Sequence, residues 1–276
     1  MAAETSKTPA SSRLIEKAVV NSVQLTRYAV KGKKVDKNNP VLTTHGLVAF
    51  INKGVSTWKL DHSQELTVTS VQTSTPYAAV TAEWLDTQQA LERGVKVVHG
   101  GSANSFGGMG TLLVPDDFRI SAVLADRDNV KHYGLQLIDN HSEFTISSSC
   151  YEIALMRYTY SKKYRSDFLM QCHGGGGIFV ETHDFPHVHI PLSGNCGGYI
   201  VLGKKIAEHK YHFTAYQIPY GQALYTPSNT IHGDGTLVGE YAITVADSAY
   251  CPANTVLMYS KATLAMAREV VPQWND

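Results

Sequence analysis

Glu181-Thr-His183-Asp-Phe-Pro-His187-Val-His189-Ile-Pro-Leu-Ser-Gly-Asn-Cys196-Gly-Gly-Tyr-Ile-Val-Leu-Gly203 is the stretch on which the fold turns. Its apolar runs, separated by Ser193 to Gly198, read as strands over 187–192 and 198–203. His187 and His189 are two residues apart. On a strand such residues point to one face, so both imidazoles can reach one metal ion without distortion. His183 has the same parity as His187, with Pro186 between them as a break in register. Downstream, Gly221-Gln-Ala-Leu-Tyr225-Thr-Pro227-Ser-Asn229-Thr-Ile-His232 places a glycine turn before a five-residue strand, a proline after it and a histidine five residues beyond. The chain holds 12 histidines, and His173, His183, His187, His189, His209, His212 and His232 all fall between positions 173 and 232.

Together these two segments resemble the paired motifs of the cupin superfamily, over roughly residues 177 to 246. The first cupin motif is His-x-His, a short spacer, Glu, six residues and Gly. The second is Gly, five residues, Pro-x-Gly, two residues and His. Gly221, Pro227 and His232 match the second motif in spacing, with Asn229 where the inner Gly stands. Asn tolerates a left-handed backbone best after Gly, so that exchange is mild. In the first motif His187, His189 and Gly203 match, but the spacer is too long and Cys196 occupies the place of the Glu. No carboxylate lies between His189 and Gly203.

The resemblance implies a mainly β fold, a cupin-type double-stranded β-helix or jelly-roll barrel, with His187, His189 and His232 as ligands of a divalent metal. Cys196 is either a thiolate fourth ligand or a small buried apolar residue. A three-His site with open positions suits Fe(II), with zinc as the alternative. Tyr225 and Asp234 flank the second motif and are the candidate catalytic groups. Asp234 is also a candidate to accept a hydrogen bond from a ligand histidine. The implied activity is that of a metal-dependent enzyme on a small molecule, an Fe(II) dioxygenase-type oxidoreductase first. Isomerase or lyase chemistry and a non-catalytic ligand-binding or regulatory cupin are the alternatives. Cupins often pair through their barrel faces, which implies a homodimer.

The rest of the chain supplies the frame. Residues 1–12 are small and polar and read as a disordered tail without a secretory signal. Leu14, Ile15, Ala18, Val19 and Val23 recur at helical spacing within Arg13 to Tyr28. Strand-like runs fill 41–77, including Leu66 to Thr73. Helix formers dominate 81–98, and His99 to Gly110 is a glycine-rich loop with neither the Walker nor the dinucleotide pattern. Short strands follow to residue 160, then a short helix over 161–170. Further strands span 177–182, 211–218, 222–226 and 238–245, and a last helix runs from about Lys261 to Val271. The spacing suggests residues 13–160 as an N-terminal α+β region and 161–276 as the barrel with its C-terminal helix. Gly110 and Pro115 echo the second motif without any His-x-His, so the first part is either a decayed second barrel or a separate unit for packing. His173 and the four glycines after it resemble a lipase oxyanion loop, but the Gly-x-Ser-x-Gly elbow that loop serves is absent.

Composition narrows the classes. Lys plus Arg and Asp plus Glu are 24 each, so the net charge is zero. A dedicated nucleic-acid binder carries a basic excess, which is missing here. No apolar run reaches membrane-spanning length, so no membrane partner is expected. Four cysteines without a Cys-x-x-Cys pair point to free thiols and a cytoplasmic location.

Overall fold

The structure is a computed structural model that describes residues 10–32, 34–60, 76–97, 109–148, 150–170, 175–247, 249 and 253–274. The expected strand at Leu66 to Thr73, residues 99–108 of the glycine-rich loop, His173 with Gly174, and residues 1–9 of the tail lie outside the described residues. The elements in chain order are α1 (Ala10–Val23), β1 (Thr26–Lys31), β2 (Lys34–Ile51), β3 (Gly54–Lys59), β4 (Ala78–Thr81), β5 (Glu83–Leu85) and α2 (Thr87–Glu92). Next come β6 (Gly110–Val114), β7 (Ser121–Leu124), β8 (Gln136–Asp139), β9 (Glu143–Ser148) and β10 (Ile153–Tyr160). The last group is β11 (Phe179–Thr182), β12 (His187–Pro191), β13 (Gly197–Ala207), β14 (Lys210–Gln217), β15 (Gln222–Thr226), β16 (Ile231–Val245) and β17 (Asn254–Ser260).

The protein is mainly β. Among the described residues, fifteen strands form one branched mixed sheet, and β3 with β9 makes a separate ribbon. Among the described residues the sheet does not close into a barrel. Its branch point is β16. The C-terminal part of β16 pairs with β10 and β12, and its N-terminal part pairs with β11 and β13. One strand therefore belongs to two halves of the sheet and carries residues from one to the other. Strands before and after residue 160 interleave: β10 pairs with β16, β8 with β15, β4 and β7 with β14, and β6 with β17.

Alternation places the functional face. In β12, Val188 and Ile190 join a small apolar cluster with Ile153, Leu155 and Ala242. His187 and His189 must then point the other way, toward the main core. That core draws on both ends of the chain, with Val19 and Val23 of α1 at one limit and Val270 and Val271 at the other. No helix among the described residues is long and apolar enough to cross a membrane.

Three helical expectations are corrected. Residues 261–271 are not a helix. Leu264 and Glu269 take left-handed backbone angles, with φ of 53° and 58°. The chain instead doubles back on β17, with Ser260 N–H bonded to Ala265 O at 2.8 Å and Ala267 N–H to Met258 O at 3.0 Å. Burial of Ala267, Val270 and Val271 overrides the helix propensity of this segment. Over 81–98, β5 pairs with β6 and leaves only the short α2, opened by a capping box between Asp86 and Gln89. The expected helix at 161–170 is a single wide turn at Arg165–Leu169.

Candidate metal centre

Four side chains meet where the two halves of the sheet face each other. Glu181 is the penultimate residue of β11 and lies directly opposite His232 in the β11–β16 register. His183 sits in the loop after β11, and His187 opens β12. One ligand atom from each lies within 4.8 Å of those of the other three. The ring centroids of His183, His187 and His232 are 4.6 to 4.8 Å apart. The three histidines are buried and Glu181 is partly exposed.

Each group is tethered from behind. His183 Nδ1 is 3.0 Å from Phe185 O, and His232 Nδ1 is 2.9 Å from Thr230 O. A carbonyl only accepts, so both Nδ1 atoms carry the proton and both Nε2 atoms keep a lone pair turned inward. His187 Nδ1 is 3.3 Å from the Thr244 hydroxyl, which also accepts from Val188 N–H at 2.8 Å. Glu181 Oε2 accepts from the Thr255 hydroxyl at 2.9 Å, leaving Oε1 3.8 Å from His232 Nε2. His183 Nε2 and His187 Nε2 stand 2.9 Å apart. They either share one proton or turn two lone pairs to a common cation. Among the described residues, His232 Nε2 is buried with no hydrogen-bond partner, a rare and costly condition for a polar atom.

The electrostatics hold the imidazoles in the form that a metal ion binds. Burial, reinforced by His232, pushes His183 down to about 3. Burial and then His183 hold His187 well below the usual histidine value. These rings are therefore neutral imidazoles, the form that binds metal. Burial raises the Glu181 carboxyl, partly offset by His232. A bound divalent ion would restore its ionised form. Three imidazole nitrogens and one carboxylate oxygen suit zinc, iron, nickel or copper rather than calcium or magnesium, which prefer oxygen cages.

The structure brings His187 and His232 into this group and adds Glu181 and His183. His189 lies on the same face of β12, its ring centroid 5.1 Å from that of His187, but outside the group of four. It is fully buried, and neither ring nitrogen has a hydrogen-bond partner among the described residues. Burial pushes it down to about 3. Cys196 stands elsewhere, its thiol donating to Glu240 O at 2.8 Å. Tyr225 pairs with Val188 and faces the opposite side of β12, where it lines a groove with Gln136 and Phe144. Asp234 accepts a 2.7 Å hydrogen bond from Tyr160 Oη. The outer nitrogens of the histidines meet Phe185, Thr230 and Thr244, so Asp234 does not orient them.

The carboxylate in this cluster thus comes from before His-x-His and not from after it. Its only sequence signal is Glu181-x-His183, the same two-residue spacing one strand earlier. No family model, no curated protein and no solved structure matches the chain.

Proposed function

We propose that the chain is a cupin-type metalloenzyme acting on a small molecule. In this reading Glu181, His183, His187 and His232 hold one divalent ion, Fe(II) first and zinc second, and the chemistry is oxidoreductase in type. The observation that supports it is the tethering just described: four inward ligand atoms, each with its outer atom fixed, and one of them buried with no partner among the described residues. When bound, iron would supply Lewis acidity and electron exchange with dioxygen. The residues do the rest. Phe185 O and Thr230 O fix the tautomers of His183 and His232, and Thr255 turns one Glu181 oxygen inward. Phe185 stacks on His183 at 3.8 Å and shields that side from water.

Anaerobic loading with Fe(II) followed by nitric oxide tests the reading. The expected result is the spin-3/2 electron paramagnetic signal of a ferrous nitrosyl, absent from His232→Ala. Tight zinc with no ferrous binding would redirect the proposal to hydrolytic or lyase chemistry.

A further inference from the structure

Two strands border the groove beside Tyr225 without a second partner. Among the described residues β8 pairs only with β15, and β9 only with β3. Gln136 to Asp139 and Glu143 to Thr145 all line this groove, a cavity of about 480 Å³ open to solvent. Successive side chains of a strand point to opposite faces, so a cavity that touches every one of them meets the strand along its edge.

The register fixes which backbone groups those edges present. In an antiparallel ladder alternate residues turn N–H and C=O toward the partner strand, and the others turn them away. Val188 N–H goes to the Thr244 hydroxyl of β16, so Tyr225, opposite Val188, is not bonded to β12 and turns toward β8. Tyr225 and Ala223 then bond with Gln136 and Ile138, and Leu137 turns its N–H and C=O out of the ladder. On the other wall Leu60 N–H donates to Ser142 O at 3.0 Å. By alternation Glu143 and Thr145, opposite Lys59 and Thr57, turn their N–H and C=O away from β3. Both walls thus offer strand donors and acceptors to the cavity. Neither strand carries the Pro or Lys that commonly blunts an edge.

Side chains select the occupant. Phe144 and Tyr225 are partly buried against the apolar cluster of Ile138, Ile146 and Ala223, which makes one face of the slot apolar. Asp139 and Glu143 have the opposite parity from Ile138 and Phe144. Asp139 is paired with Arg127 and accepts from Gln222 Nε2 at 2.6 Å, so Glu143 leaves the walls with a net negative charge.

We infer that this slot takes an extended peptide segment of a partner protein by strand addition, its apolar side chains toward Phe144 and Tyr225 and a basic one toward Glu143. The site does not depend on the metal reading. Calorimetric titration of the full chain with acetyl-Val-Lys-Val-Lys-Val-amide tests it. The expected result is saturation at one equivalent. Leu137→Pro and Thr145→Pro each remove an outward N–H and no ladder bond. Each should raise Kd about tenfold, the scale of a lost hydrogen bond, with folding checked by circular dichroism. The same peptide N-methylated at every Val leaves the protein untouched and should bind about tenfold more weakly. Glu143→Gln should also raise Kd, and an unchanged value would overturn the basic partner. No saturable binding to folded protein, or binding that neither proline nor N-methylation weakens, overturns the inference. So does a dimer that forms without peptide and is abolished by Thr145→Pro in sedimentation, which would make a second copy the occupant.

Discussion

Asn229 is where a single backbone angle supports the metal cluster. Its φ is 62°, left-handed, and its N–H donates to His183 O at 2.7 Å. The second motif thereby fixes the loop that carries His183. Asn229→Gly should leave stability nearly unchanged, whereas Asn229→Val should cost about 1–2 kcal/mol, the usual penalty for a side chain forced into this region. Urea denaturation of both variants measures the difference, and equal midpoints would show that the angle carries no strain. This part was legible through the resemblance, because Asn229 stands where the cupin motif has a Gly and Asn tolerates a left-handed backbone best after Gly. Glu181 was not legible as a ligand. It reaches His232 through strand pairing across 51 positions of chain, and a local pattern contains no register.

Among the elements, β16 sets the geometry of the centre. Its first turn-proximal residues hold His232 against Glu181, and Thr244 near its end holds His187. Gly233, next to His232, permits this close approach, since an added Cβ would overlap the Phe179 carbonyl of β11. Gly233→Ala must push β11 from β16. It should cost about 1–3 kcal/mol and weaken metal binding, as read by thermal melts with and without added metal. Unchanged melts would mean that the strands have slack here. The short strands were legible: β15 lies where Gly221 and Pro227 bracket it, and β12 follows its alternation. The helix expected at 261–271 was not, because Lys261 to Glu269 has good intrinsic helix propensity. Only the tertiary contact of Ala267 and Val270 with the sheet turns it into a return along β17.

At the scale of the whole molecule, the interleaving of early and late strands was invisible to periodicity, which reports elements and not their partners. It places three neutral histidines in one dry interior, with a consequence for acid stability. His183 and His189 are held down to about 3, and His187 is also well below its usual value. Below about 6.5 the unfolded chain takes up protons that these folded rings refuse. The stability present above that pH is therefore lost as pH falls toward 3, by about 1.4 kcal/mol per pH unit for each fully titrating ring. Glu181, raised in the folded state, works in the opposite direction near its own titration and offsets part of the loss. Urea midpoints of metal-free protein should fall steadily from pH 6.5 to 4; a flat profile would mean that these rings are not buried neutral. The central claim is the ligand set, and metal content after loading and desalting tests it most directly. The account predicts about one ion per chain in the parent and in His189→Ala, and at least a tenfold weaker hold in Glu181→Gln, His183→Ala, His187→Ala and His232→Ala. Only trace metal in the parent, or full retention in both His183→Ala and His187→Ala, would contradict it.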